Sequence, residues 1–225
     1  MRIISIVMVS VFLCLLANCE QHSKEPYSPE QQYLFSMFEN RRSVRGYKSD
    51  PIPDEHIQKI IDIARTAPTS GNQQPWKFLV IKDQEKIDAL NDATVDAYID
   101  YYKANRGLTD EEVPEKRQQL IERQKKYLEA PVFIVILTDN ESKYPNYNKW
   151  DGPMAASYLM VAARALGYGT VFLTDSFPLE IVREVFQIPE RYEIVCTTPL
   201  GIPKEWPDKP EKKNLQDFIV YDTFE

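Results

Sequence analysis

The chain predicts an α+β domain in which helices pack on a mixed sheet. Strand-like and helix-like stretches alternate irregularly, the longest helical stretches cluster mid-chain, and the run at 132–137 is apolar throughout, as in a strand covered on both faces. A doubly wound parallel sheet would show a regular alternation of strand and helix instead.

Residues 1–18 stand apart from that domain. Arg2 supplies a short positive region, residues 3–17 are an apolar run and a polar stretch follows at 20–27, which is the pattern of a signal peptide rather than a spanning helix. Leu-Ala-Asn-Cys at 16–19 is similar to a bacterial lipobox, with Cys19 as the lipidated residue, although Asn18 departs from the small residue usual before that cysteine. Lipidation, simple cleavage and an uncleaved anchor all fit. Residues 19–30 then read as a tether and 31–225 as the domain.

Within the domain, Tyr33, Leu34, Met37 and Phe38 predict a short amphipathic helix. Asp54 can cap the next one, where Ile57, Ile60, Ile61 and Ala64 share a face before Pro68 stops it. Residues 78–81 read as a buried strand. A helix follows over 87–104 and Gly107 breaks it. Thr-Asp-Glu-Glu at 109–112 has the form of a capping box opening another helix to 129, with the charge run at 116–126 as its solvated face. Ala130-Pro131 ends that helix ahead of the strand at 132–137. The stretch 151–166 is apolar nearly all round and predicts a central helix closed by Gly167 and Gly169. A strand at 170–174, a helix at 178–187, a strand at 193–198, a lysine-rich segment at 204–213 and a last strand at 218–221 complete the order.

With 225 residues and 43% hydrophobic content, the chain can bury a core as one domain. A net charge of -7 argues against a nucleic-acid surface. Cysteines stand at 14, 19 and 196 and histidines only at 22 and 56, so neither a disulfide framework nor a soft-metal site can be assembled. The seven glycines form no G-x-G-x-x-G and no Walker loop, and no nucleophile elbow accompanies either histidine.

Two segments carry chemistry. Arg-Arg-Ser-Val-Arg-Gly-Tyr at 41–47 gathers three guanidiniums and a hydroxyl, and the guanidinium fork grips phosphate oxygens with paired hydrogen bonds. In Ala-Pro-Thr-Ser-Gly-Asn-Gln-Gln-Pro-Trp at 67–76, a small polar run lies between a helix stop and a strand, so donors and acceptors converge in one loop. Together they suit a ligand with an anionic end and a hydrogen-bonding heteroaromatic end.

These two segments, with Tyr-Leu-Glu-Ala-Pro at 127–131, Ala-Ala-Arg-Ala-Leu-Gly-Tyr-Gly-Thr at 162–170 and Leu-Gly-Ile-Pro at 200–203, resemble the nitroreductase family in order and spacing over residues 34–221. The resemblance implies an FMN-dependent, NAD(P)H-using oxidoreductase, a homodimer with flavin held at the interface by both chains. Arg41 and Ser43 match the positions that hold the FMN phosphate, Arg42 belongs to the same cluster, and Arg45 matches the basic residue near the pyrimidine edge. Pro68, Thr69, Ser70, Asn72 and Gln74 match the loop over the ring, with Asn72 as the side-chain contact. Around Leu173 and Thr174 the family sets backbone N–H groups against the flavin N5 and O4 edge. The C-terminal arginine clamp of the family is replaced by lysines, Lys209 and Lys212, which supply charge without a bidentate fork.

The implied chemistry is ping-pong: hydride passes from NAD(P)H through flavin N5 to an electron-poor acceptor such as a nitroaromatic or quinone, with no catalytic side chain required. Two alternatives accompany it. One is a non-enzymatic flavin-binding lipoprotein of the envelope, exported and lipid-anchored facing the periplasm or cell exterior. The other is a reductive dehalogenase resembling iodotyrosine deiodinase, for which Tyr101 and Lys125 or Lys126 fill two lid positions while the glutamate position falls near Ala97.

Overall fold

The computed structural model describes residues 26–224, so the signal segment and Cys19 lie outside the described residues. The chain divides into two compact units at Ser36 and Met37. Helix α1 (Pro29–Glu39) starts in the first unit. There the Ser28 hydroxyl donates to Glu30 (2.7 Å) and the edge of Tyr27 meets Phe35 at 5.1 Å.

In the second unit, α2 (Asp54–Ala64), β1 (Trp76–Ile81), α3 (Gln84–Arg106), α4 (Val113–Leu128), β2 (Val132–Asp139), α5 (Asn148–Ala165), α6 (Leu179–Val185) and β3 (Tyr192–Leu200) follow in order. The strands form an antiparallel sheet ordered β1-β2-β3, with a bulge between Ile136 and Leu137. Strand β2 is buried from Val132 to Thr138, and successive side chains point to opposite faces. Val132, Ile134 and Ile136 pack with Ile57, Ile60 and Ala64 of α2 and Ala156, Leu159 and Ala163 of α5. Phe133, Val135 and Leu137 face the other way, among Ile87, Leu90, Phe177 and Val182. The architecture is therefore α+β, a small sheet between two helical layers.

Local chemistry explains most element ends. Asp83 caps α3 by accepting from the Glu85 N–H (3.0 Å), and Gly107 ends it in the left-handed region at φ 70°. Glu112 accepts from both the N–H and hydroxyl of Thr109 (2.9 Å each), but α4 itself begins one residue later, at Val113. Asp54 is not a cap: Pro53 occupies that position without a side-chain bond, and the Asp54 carboxylate pairs with Lys82.

Two expected strands are corrected. The segment 170–174 makes isolated pairings only, Ser43 with Thr170 in parallel and Leu173 with Thr197 antiparallel, because it is wedged between two neighbours without running alongside either. Residues 218–221 form no strand. Leu215–Phe218 is a 3₁₀ turn, and the exposed chain beyond it meets no sheet edge of its own unit. Gly152 lets α5 approach the sheet closely, since a Cβ there would lie 2.5 Å from the Val195 side chain.

At the end of β2, Arg191 donates to both oxygens of Asp139, and these bonds hold the carboxyl below the usual carboxylate range. A depressed folded-state pKa contributes stability above the unfolded value of about 4, and that stability is lost as pH falls through the folded value. Urea midpoints measured from pH 6 to pH 2.5 are expected to fall less steeply below pH ~4 in Arg191→Ala than in the parent chain.

Candidate functional site

The arginine stretch is held by backbone on both sides. The Val44 N–H donates to the Thr170 carbonyl (3.0 Å), Lys48 N–H to Ile202 (2.8 Å) and Lys204 N–H to Gly46 (3.0 Å), so residues 43–48 lie between the 170 segment and the chain after β3. Val44 and Tyr47 are buried, and the Tyr47 hydroxyl donates to the Val44 carbonyl at 2.7 Å. Gly169 makes this approach feasible, because a Cβ there would sit 2.6 Å from Val44. With the apolar residues turned inward, the polar ones are left on the other side. Arg41, Arg42 and Ser43 are half-buried and Arg45 is exposed.

None of the three guanidiniums has a carboxylate partner among the described residues. Arg42 donates to the carbonyls of Glu39 (2.6 Å) and Arg41 (2.9 Å), while its Nε is buried without a partner. Among the described residues, Arg45 reaches only the Ser43 carbonyl, at 3.3 Å. Three unneutralised cations on an acidic body suit an oxyanion such as a phosphate ester. On this evidence the residues present fit the phosphate of FMN.

The 67–76 loop is anchored by groups outside the resemblance. Asp151, buried in the first turn of α5, accepts from the Ser70 N–H (3.1 Å) and the Gln73 side-chain amide (2.7 Å). The same amide donates to the Tyr144 carbonyl (3.1 Å), and the Tyr144 N–H donates back to Gln73 Oε1 (2.7 Å). Thr69 Oγ1 accepts from the Gln74 N–H at 3.2 Å. Held this way, the loop places Gly71, Asn72 and Gln74 in the left-handed region at φ 58°, 52° and 49°. Backbone strain at non-glycine residues is tolerated where surrounding bonds over-determine it, and it clusters at ligand sites. Pro68, Asn72 and Gln74 are exposed, while Thr69 and Ser70 are half-buried.

Leu173 is buried, and its N–H donates to the Thr197 carbonyl (3.0 Å) while its carbonyl accepts from the Thr197 N–H (2.9 Å). Its backbone is thus committed to β3. The Thr174 N–H, one residue on, bonds to no group among the described residues. Lys209 and Lys212 lie on the exposed chain after Pro203, and no hydrogen bond or ion pair joins them to residues 41–45. No hydrogen bond links the arginine stretch to the 67–76 loop either. The structure brings the arginine stretch beside the 170–174 segment and the polar loop beside α5, as two separate assemblies within one chain.

Cys196 is fully buried, and burial pushes its thiol up to about 12, so it has no thiolate character. His56 Nδ1 lies 2.7 Å from the Tyr168 hydroxyl, a structural pairing between α2 and the chain that follows α5. Among the described residues, no cluster of three or more His, Cys, Asp or Glu could hold a metal, and no helix is long and apolar enough to cross a membrane.

Gln73, Tyr144 and Asp151 were missed from the sequence. An acid opening an otherwise apolar helix was the available signal, since a buried carboxylate needs donors and the nearby polar loop is rich in them. Fold and site together define an α+β protein with an arginine stretch free of carboxylate partners among the described residues and a polar loop in left-handed backbone. The nitroreductase family model matches residues 38–202, and the chain belongs to that family. It is 32% identical over 179 residues to a putative NADH dehydrogenase/NAD(P)H nitroreductase of Archaeoglobus fulgidus, covering 76% of this chain and 86% of that protein. An iodotyrosine deiodinase of Thermotoga neapolitana is 26% identical over 192 residues, covering 85% and 98%. Among solved structures, oxidized iodotyrosine deiodinase bound to FMN and 3-iodo-L-tyrosine superposes with a TM-score of 0.68 at 23% identity, covering 85% of this chain and 100% of that one.

Proposed function

We propose that the chain binds FMN and works as an NAD(P)H-using oxidoreductase on electron-poor aromatic acceptors, nitroaromatics or quinones. The observation that carries this is the arginine stretch: Arg41, Arg42 and Arg45 lack carboxylate partners among the described residues, and Arg42 Nε is buried with no partner among them. Family membership and the FMN-bound structural neighbour support the same reading.

Bound FMN would supply the two-electron chemistry, carrying a hydride equivalent from the nicotinamide to the acceptor. The chain's own residues then have simpler tasks. Arg41 and Ser43 hold the phosphate, Arg45 adds positive charge near the pyrimidine edge, the Thr174 N–H offers a fixed donor to the ring edge, and the Asp151-anchored loop covers the ring with Asn72. Lys209 and Lys212 add charge to the phosphate end from the C-terminal chain.

A second copy of the chain completes this reading. Trp150, Met154 and Tyr158 form an exposed row along α5 at helical spacing, and Leu215, Phe218 and Tyr221 on the C-terminal chain are 65%, 68% and 78% exposed. A homodimer would cover these groups and bring the polar loop of one subunit to the arginine stretch of the other. The N-terminal segment supports a separate proposal, export and a lipid anchor at Cys19, which rests on residues 1–19 alone.

Anaerobic addition of NADH or NADPH to the FMN-loaded protein is expected to bleach its absorbance near 450 nm, with recovery on adding a nitroaromatic or quinone. A flavin that stays oxidised with both nucleotides would favour the binding-only alternative.

A further inference from the structure

Between α3, α4 and the loop after Thr174 lies a pocket of about 290 Å³ lined by Tyr98, Arg123, Gln124, Lys126, Asp175 and Ser176 among others. Its walls are tied together. The Tyr98 hydroxyl donates to the Asp175 carbonyl (3.2 Å), and the amide of Gln124, a residue only 1% exposed, donates to the Ser176 carbonyl (3.0 Å). Two cations border it. The Arg123 guanidinium lies 4.9 Å from the centre of the Tyr98 ring and Lys126 Nζ lies 5.0 Å from that of Tyr127.

The charge run on α4 predicts a solvated face, and part of it behaves that way: Arg117 pairs with Asp96, and Lys125 faces Glu129, while Lys116 lies over the Tyr102 ring at 4.1 Å, outside this pocket. Arg123 and Lys126 are the cations of the run that line the pocket. Neither forms an ion pair among the described residues, not even with Asp175, the carboxylate lining the same pocket. Parked on aromatic faces beside a concavity, they keep their hydrogen-bonding capacity unspent. The pocket opens one residue beyond Thr174, the donor assigned above to the flavin edge.

We propose that this pocket selects acceptors that carry a carboxylate on the aromatic ring, with Arg123 gripping the carboxylate, Lys126 adding charge and Tyr98 offering a ring face to the aromatic part. This deepens the oxidoreductase reading and rests on it. Arg123 is a specificity residue here and has no part in the redox step.

The test compares 4-nitrobenzoate with neutral 4-nitrobenzyl alcohol as acceptors for the FMN-loaded protein. The parent chain is expected to favour the benzoate. In Arg123→Gln, kcat/KM for the benzoate should fall about tenfold, the scale of a lost charge-assisted pair, with the alcohol changed less than about twofold and FMN content unaltered. Arg123→Lys should recover part of the loss. An unchanged ratio, or equal loss on both acceptors, overturns the proposal. Should the protein take up no FMN, the oxidoreductase reading fails by itself. Calorimetric titration with 4-nitrobenzoate then decides the pocket alone: binding by the parent and not by Arg123→Gln supports it, and no difference overturns it.

Discussion

Arg41→Ala is expected to weaken FMN binding by about ten- to a hundredfold, the equivalent of one or two charge-assisted hydrogen bonds lost from a phosphate. The effect should be large because this arginine spends nothing on the described residues of the protein: it forms no ion pair among them, and the stretch that carries it is fixed by backbone bonds to Thr170 and Ile202 that the substitution leaves intact. Folding stability should therefore stay nearly unchanged while flavin is lost. Arg41→Lys should fall between, keeping charge without the fork. Lys212→Ala, on exposed chain with no bond to the arginine stretch, should weaken binding less than fivefold, since exposed single charges act weakly and are screened by salt. Fluorescence titration of FMN into each variant, with a thermal melt of the apo protein, separates the two effects.

Asp151→Ala is expected to cost about 3 kcal/mol of stability and to lower the melting temperature by roughly 6–12 °C. The carboxylate is 4% exposed and accepts from both the Ser70 N–H and the Gln73 amide. Its removal strands two donors in a region that water reaches poorly and leaves a small void at the start of α5. The loop at 69–74 also loses the bonds that oppose the strain at Asn72 and Gln74, so FMN affinity should fall with stability. Asp151→Asn keeps the shape and one acceptor oxygen and should cost about half as much. Thermal melts of the three proteins, run without and then with saturating FMN, check both parts.

The fold was readable where burial produces periodicity. The α2 face of Ile57, Ile60 and Ala64 and the uninterrupted β2 run are patterns that only a covered element requires, and both fall where they were expected. The 170–174 segment has the composition of a strand, whereas its pairing depends on where Ser43, Gly201 and Thr197 lie in space. The 218–221 stretch failed for a related reason, since strand propensity is realised only beside a sheet edge and this unit presents none to it.

At the site, residue type was legible and wiring was not. Arginines gathered around a serine suit an oxyanion by residue type alone. That Leu173 spends its N–H on Thr197 while the Thr174 N–H has no acceptor among the described residues follows from the register of β3, which the sequence does not display. The Gln73–Asp151 anchor joins residues 78 positions apart, and no local pattern pairs them.

The central claim is that two copies of this chain hold FMN through the arginine stretch of one and the polar loop of the other. Sedimentation of residues 26–225 after loading with FMN and gel filtration, recorded at 280 nm and at about 450 nm, tests it most directly. The account predicts a dimer carrying one FMN per subunit, with flavin absorbance moving at the dimer boundary and absent from Arg41→Ala at low micromolar protein. A monomer that retains flavin, or a dimer that takes up none at saturating FMN, would contradict it.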